Sequence, residues 1–529
     1  MEQGKRDWWT APASVPETEI KRTVETDVLI IGAGQAGICA ARAAAETGVR
    51  VCVLEKQSEE KKRVLGNGEI GHINSKWQAE HGVPKVDVAT FVNDWQLRTN
   101  NRSNYALIRT YAEKCGECFD WIIEPLDAEQ RAQIYPMLTP QSEHFPESVN
   151  GIRAWSGTAK MPVKIQNEIL KRNQQQAEKD GAKFFFDVAG YQLLKEGKRV
   201  VGAVGVDAQG NYIRFRAAKG VILAAGDYSG NPQMCRDLLT EAADLVDLQA
   251  SWKGHGWDGS GIQMGIWAGG RLDPRPHPAM GGNYSFPGFD LIGSTAVLRV
   301  NKYGRRYSDE GFGTHVLAAT AGAKQPNGML WGIFDDDILE EATYQAPCNA
   351  VLDYTNQARK QQLRNAMEQA RKAGPQGRSG GKSRILYCAD TLETLAEYLF
   401  EEEKDRQTFL KTVARYNEMC AQKRDDDFGK ESSLLHALCH PPYYACGQEK
   451  NSPRPGGQSL SLLVTVGGLL TDEKQNVLDE EFEPIAGLYA TGNCCGGRFG
   501  FQYTTSIPGQ SISIAQTLGR EAGYTVAAL

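Results

Sequence analysis

Residues 27–56 read DVLIIGAGQAGICAARAAAETGVRVCVLEK, and this stretch decides the fold. Val28-Leu29-Ile30-Ile31 is a continuous aliphatic run, as a strand buried on both faces requires, and it stops at a glycine. Gly32-x-Gly34-x-x-Gly37 follows at once. The three glycines have separate tasks: Gly32 makes the tight turn, Gly34 lets a pyrophosphate approach the backbone, and Gly37 lets the next helix lie against the strand. That helix is expected from about Ala36 to Thr47, with its unpaired N–H groups and positive dipole end facing the phosphates. Val51-Cys52-Val53-Leu54 is then a second buried strand ending in Glu55, eighteen residues after Gly37, where a carboxylate can accept both ribose hydroxyls of an adenosine. Strand, glycines, helix, strand and acid in register specify a βαβ dinucleotide site. The same pattern recurs at Gly254-x-Gly256-x-x-Gly259, but DLQASWK precedes it and no βαβ unit surrounds it, so it reads as a glycine loop. The chain therefore has one dinucleotide module and none for a second.

A chain of 529 residues is too long for one small core. Its net charge is −6 and no long basic stripe appears, which argues against nucleic acid as a partner. Residues 1–26 lack an apolar core and a twin-arginine pair and do not read as a signal peptide. No run approaches the roughly twenty apolar residues of a membrane span. A cytoplasmic location with free thiols is the expectation for the twelve cysteines. Cys115 and Cys118 have CxxC spacing but are followed by Phe119, so haem attachment is excluded, and no second CxxC completes a zinc site. They read as helix packing residues, and no metal site is expected. Trp8 and Trp9 are expected to dock their arm back onto the domain.

Along the chain, Val88–Ile123 and residues 160–180 have helical periodicity. From Ala182 the period moves towards two, with Ala208-Gln-Gly-Asn211 as a hairpin signal. Lys219–Gly226 is a short buried strand ending on small residues. From about Leu272 to Val464 the character changes, and residues 372–384, KAGPQGRSGGKSR, read as a loop. The expected organisation is α/β: an arm (1–26), a Rossmann-type domain in two parts (27–271 and 465–529), and an inserted α+β capping domain (272–464). A last helix is expected from about Pro508 to Gly523.

Several stretches together resemble one family, the FAD-dependent fumarate reductase and 3-ketosteroid dehydrogenase flavoproteins. They are IIGAGQAG with Glu55, LGNGEIGHIN, VILAAGDYSGN, GSGIQMG, HPAM, VNKYGRRYSDE, RYNEMC with DDDFGK, PPYYA, and GLYATGNCCGGRFG, in family order over nearly the whole chain. The resemblance implies a GR2-like FAD-binding domain interrupted by a cap, with substrate held between cap and isoalloxazine. It adds to Gly32, Gly34, Gly37 and Glu55 a set of implied FAD contacts. These are Gln35, Ala36 and Lys56; Gly66, Asn67, Gly68, Gly71, His72 and Ile73; Val188, Ala225, Gly226 and Asp258; and Gly492, Asn493, Gly509, Ser511 and Ile512. Asp227 departs from the pattern, standing where the family has a glycine. Non-covalent binding is expected, although His72 lies near the position of a covalent anchor in some relatives. The segment Ile507-Pro-Gly-Gln-Ser511 opens the last helix, whose N-terminus can stabilise negative charge on the pyrimidine side of a reduced flavin.

The reaction implied is hydride exchange between flavin N5 and one carbon of a C=C or CH–CH pair, with a proton moved at its neighbour. Fumarate reductases hold the dicarboxylate with histidines in HPT and HHTMGG stretches and an arginine in NRLGGN, and a further arginine delivers the proton. Here the first is His277, the second stretch reads Leu463-Val464-Thr465-Val466-Gly467-Gly468, the third position is Tyr503, and the fourth falls on Thr314 beside His315. Fumarate is therefore rejected. Tyr503 aligns with the active-site tyrosine of ketosteroid dehydrogenases, and a phenol, whose usual pKa is near 10, suits an uncharged enone. The candidate catalytic set is Tyr503, His277, His315 and Arg498. Arg305 and Arg306 are read as ion-pair partners of Asp309 and Glu310, and Cys494 and Cys495 as small fillers. The leading expectation is ene-reduction of a bulky, steroid-like carbonyl compound, with electrons from NAD(P)H or a separate redox protein. Reduction of an unsaturated monocarboxylate, held by His277 or Arg498, is the alternative, and a flavin electron carrier is the non-catalytic one.

Overall fold

The computed structural model describes residues 7–62, 66–137, 148–149, 152–153, 155–239, 257–281, 295–312, 325–326, 330–341, 357–381, 384–448, 462–501, 503 and 507–529. The aliphatic run is the end of a longer strand, β1 (Ile20–Ile31), followed by α1 (Gln35–Ala45) and β2 (Val51–Leu54). The main sheet runs in the order Asn476–Leu478, Pro484–Ala490, Tyr212–Leu223, β1, β2, Lys183–Phe185. From Pro484–Ala490 across to Lys183–Phe185 every pairing is parallel, and Val28 sits between Gly220 and Val51. The first half of Tyr212–Leu223 also pairs antiparallel with Arg199–Asp207, and that strand with Val188–Glu196, forming the expected meander. The hairpin turn falls at Asp207–Asn211, where the Asp207 N–H donates to Asn211 O.

Both faces of the parallel sheet are covered, which is why β1 and β2 read as unbroken apolar runs. Val28, Ile30, Val51 and Val53 pack with α1, the helix Val163–Lys179 and the closing helix Gln510–Ala527. Leu29, Ile31, Cys52 and Leu54 pack on the other face with Phe215, Ile262 and Met264. Trp8 of the arm joins this second core, and its indole N–H donates to Asp237 Oδ2 at 2.7 Å. The expected helical stretch 88–123 is two helices, Val88–Arg98 and Tyr105–Ile123, the second capped by Asn104.

The inserted segment has its own five-stranded antiparallel sheet, Leu298–Asn301, Leu330–Phe334, Tyr443–Gln448, Arg384–Ala389 and Arg378–Gly381 in that order. The last strand corrects the loop expected over 372–384: Ser379 pairs with Ile385, so this glycine-rich run is one arm of a hairpin. Arg306 bridges Glu310 (2.8 Å) and Asp425 (2.7 Å) inside the cap, beside Lys430. Where the chain enters and leaves the insertion, Ala279–Gly281 and Leu462–Thr465 pair with each other antiparallel.

Candidate active site

A cleft of about 1080 Å³, counting its open mouth, runs along the carboxyl ends of β1, β2 and Tyr212–Leu223. Its floor is the glycine turn, and the three glycines differ there as their spacing predicts. A Cβ on Gly32 (φ +108°) would meet Ala224 O at 2.4 Å, and one on Gly37 would meet Gly32 O at 1.9 Å. A Cβ on Gly34 would meet nothing within 4 Å, because that position faces the cleft. Glu55 at the end of β2 is fixed from behind: Oε2 accepts from Ala33 N and Oε1 from Gln57 N, both at 2.9 Å. Val188, whose N–H donates to Glu55 O at 3.0 Å, braces the same residue.

Two helices begin at this cleft on glycines that offer no side-chain cap, α1 at Gly34 and the closing helix at Gly509. Gln35 and Ala36 line it from one helix, and Ser511, Ile512 and Ala515 from the other. Helix N-termini without side-chain caps are anion sites. The two are locked together because Gly519 and Gly523 let the closing helix lie on Ala36 and Ala40; a Cβ there would meet Ala36 O at 2.3 Å and Ala40 O at 2.4 Å. Gln516 Nε2 donates to Gln35 Oε1 at 2.8 Å across the junction. A pyrophosphate between two helix ends, a ribose on Glu55 and a flat ring system beyond fit this cradle.

The remaining expected cofactor residues fall in two groups. Lys56, Ala225, Gly226, Gly492 and Asn493 line the cleft. Lys56 also reaches across its mouth to Asp258 Oδ2 at 3.0 Å. The loop around β3 (Glu69–Gly71) instead buttresses the closing helix: a Cβ on Gly71 would meet Pro508 O at 2.4 Å, Gly68 lies against Met161 O, Gly66 against Gln166, and Gly509 against Glu69. Asn67 Nδ2 donates to Glu69 Oε2 at 2.9 Å, and Lys160 pairs with the other oxygen. Ile73 is buried in the apolar cluster that contains Tyr503.

His72 is enclosed, stacked on Phe119 at 3.8 Å, with Nε2 on Ser75 Oγ at 2.9 Å and Nδ1 near Ile70 O at 3.3 Å. Burial pushes its pKa down to about 3, and no ring nitrogen faces the cleft. His277, expected among the catalytic groups, is similarly committed. Its Nδ1 contacts Tyr228 Oη at 2.9 Å and Nε2 contacts Asp273 O at 3.0 Å. Burial lowers its pKa to about 4, so the neutral ring accepts from the phenol and donates to the carbonyl, with no nitrogen left for a substrate acid. His315 and Thr314 lie outside the described residues.

Tyr503 is buried, within 4.9 Å of the Phe499 ring centroid to centroid, in a cluster with Trp95, Val466 and Ile507. Arg498 is fully enclosed, which rules out an exposed salt bridge for it. Cys494 and Cys495 are buried beside it, their thiols pushed up to about 12 and about 11 by burial, so they are protonated fillers.

Composition and periodicity had given no warning of other cleft residues. Gly190 lines it where two strands approach closely: a Cβ there would meet Ile31 Cγ2 at 2.8 Å, 159 residues away in sequence. Trp257, Ser260 and Val464 arrive from equally distant segments. Asp227 lines the cleft with its carboxylate accepting from Ser229 N (2.7 Å) and Thr465 N (3.2 Å), and burial raises its pKa. Its signal was the missing glycine after Gly226. On the cap, Asp335, Cys439 and His440 bring ligand atoms within 4.8 Å of one another, but two of the three are exposed and Asp335 Oδ2 already accepts from the Cys439 and His440 N–H groups.

The family described as FAD binding domain matches residues 27–508. A probable fumarate reductase of Shewanella frigidimarina is 24% identical over 518 residues, covering 95% of this chain and 75% of that one. A vinyl phenol reductase of Lactiplantibacillus plantarum is 24% identical over 511 residues, covering 94% of this chain and 95% of that one. The crystal structure of the 3-ketosteroid-Δ4-(5α)-dehydrogenase of Rhodococcus jostii, solved with 4-androstene-3,17-dione, superposes with a TM-score of 0.68 at 21% identity, over 98% of this chain and 99% of that one.

Proposed function

The chain belongs to the FAD-binding-domain family, and from that membership we propose an FAD-dependent reductase of the C=C bond in a bulky, mostly apolar carbonyl compound, steroid-like in size. It is an oxidoreductase of the kind that acts on CH–CH groups. FAD, held by the glycine turn, Glu55 and the two helix ends, would supply hydride chemistry at one alkene carbon; the protein must bind the carbonyl, exclude water and bring a proton to the other carbon. The observation that carries the substrate reading is Tyr503, an uncharged donor enclosed by Trp95, Phe499 and Ile507, at the position where fumarate reductases place a guanidinium. Its hydroxyl polarises the carbonyl or passes the proton. Tyr228 and His277 bond to each other, and His277 also to Asp273 O, which leaves the substrate to Tyr503. FAD is held non-covalently, His72 having both nitrogens engaged within the protein.

Electrons come from NAD(P)H or from a separate redox protein. Among the described residues no helix is long and apolar enough to cross a membrane. A second reading, reduction of an unsaturated monocarboxylate, is favoured by the buried guanidinium of Arg498 and by a relative named for urocanate reduction. A bare electron carrier fits less well, because a cap with its own five-stranded sheet excludes water, which hydride transfer needs and electron exchange does not.

Tyr503→Phe tests the reading: FAD content should stay at one per chain while turnover falls about 10²- to 10⁴-fold. Unchanged turnover would remove Tyr503 from the chemistry. In an anaerobic screen, reoxidation of the reduced flavin by a cyclic enone and not by simple enoates supports the carbonyl substrate; the reverse preference supports the monocarboxylate.

A further inference from the structure

Arg498 differs from three other enclosed arginine side chains. Arg42 holds Glu124 at 2.8 Å, Arg306 holds Glu310 at 2.8 Å, and Arg520 holds Glu117 at 2.6 Å. Among the described residues Arg498 touches only neutral oxygens: Nε donates to Cys495 O at 2.8 Å, and Nη2 to Val466 O at 3.0 Å and Asn493 Oδ1 at 3.1 Å. Its Nη1 is buried with no hydrogen-bond partner among those residues. The carboxyl of Asp273 feels the guanidinium without an ion-pair contact to it, and its Oδ2 accepts from Gly497 N at 2.7 Å. Burying a charge without a counter-charge in contact with it is expensive, so the retention of this one points to a charge that arrives during the protein's work.

The surroundings say where that charge arrives. Asn493 lines the cofactor cleft, so Arg498 lies one residue behind its wall. The Phe499 ring packs against both Arg498, at 5.5 Å, and Tyr503, at 4.9 Å. Trp95 Nε1 donates to Arg498 O at 2.8 Å and fixes the backbone independently of the side chain.

We infer that Arg498 is the counter-charge for one negative charge that forms in this site during turnover, on the reduced flavin or on the substrate oxygen that the proposed function assigns to Tyr503. A single guanidinium with one open nitrogen matches one delocalised oxyanion and not a dicarboxylate. The substrate half of this inference rests on the function proposed above; the flavin half does not.

The test compares wild type, Arg498→Gln and Arg498→Lys as FAD-loaded proteins. The flavin midpoint is measured without substrate, and 4-chlorophenol is titrated into the oxidised protein as a phenolate probe. If the reduced flavin is the anion, Arg498→Gln shifts the reduced-to-oxidised equilibrium at least tenfold towards oxidised, ~30 mV for a two-electron couple, and Arg498→Lys stays within threefold of wild type. If the substrate oxygen is the anion, the midpoint holds while phenolate affinity falls tenfold or more in Arg498→Gln alone. Both readouts unchanged in Arg498→Gln, or Lys failing as badly as Gln, overturns the inference. Should Arg498→Gln not retain FAD, Arg498→Lys decides by itself: charge conserved with both readouts intact supports the assignment, and a tenfold change in either sinks it. Because the midpoint is read with no substrate present, its result stands whatever Tyr503→Phe shows about turnover.

Discussion

Gly34 and Gly37 are three positions apart and fail in different ways. Gly34→Val puts its side chain into the space a pyrophosphate would take, with a Cβ that touches nothing in the folded chain. The variant should fold normally by circular dichroism and bind FAD about 100-fold more weakly, ~2.7 kcal/mol. Gly37→Ala drives a methyl onto Gly32 O and should cost about 3 kcal/mol of folding stability, seen as a lower denaturant midpoint. The first residue was legible because a backbone that must meet phosphate needs no side chain, and the second because helix and strand must touch. His277 was legible only as a chemical type. Its sequence position announced a ligand, but the phenol of Tyr228 and the carbonyl of Asp273, 49 and four residues away, occupy its ring. Burial holds this imidazole neutral, with a pKa of about 4 against an unfolded value of 6.5. The unfolded chain therefore binds the extra proton first as pH falls. The stabilisation is full above pH 6.5 and is lost between 6.5 and 4, about 3 kcal/mol for this group, with His72 acting in the same direction. Urea midpoints across that range at fixed ionic strength should fall accordingly, and a flat profile contradicts the assignment.

At the scale of elements, the junction of α1 with the closing helix sets the cofactor cradle. Gly519 and Gly523 lie one turn apart and bring the two backbones together. Gly523→Leu should cost about 2–3 kcal/mol and, because the same helix presents Ser511 and Ile512 to the cleft, should weaken FAD binding from a distance. Calorimetric titration of FAD into the variant checks this. Helix identity was readable here, from periodicity and from Pro508 near the start, while the partner of its small-residue face was not. β1 shows a complementary limit. Its first seven residues, Ile20 to Thr26, are largely polar and partly exposed, so only Val28 to Ile31 carried the signal of a doubly covered strand. The hairpin at Arg378–Gly381 was hidden for a related reason, since glycine-rich arms pair through backbone groups that residue type does not report.

For the whole molecule, the cleft gathers segments from residue 31 to residue 515. One βαβ unit was enough to infer the class of fold, but sheet order and the far wall depend on contacts hundreds of residues apart. A ligand that touches so many segments stabilises all of them by mass action. Holoprotein at a free FAD concentration 1,000 times its dissociation constant should gain about 4 kcal/mol over apoprotein, and the two forms should separate clearly in a thermal scan. The pairing of Ala279–Gly281 with Leu462–Thr465 brings the two ends of a long segment side by side. Everything between those strands leaves and returns through one doorway. A cassette with adjoining ends can be exchanged for another without redrawing the nucleotide half, so chimaeras joined at this doorway should keep their yellow colour while acquiring the donor's appetite.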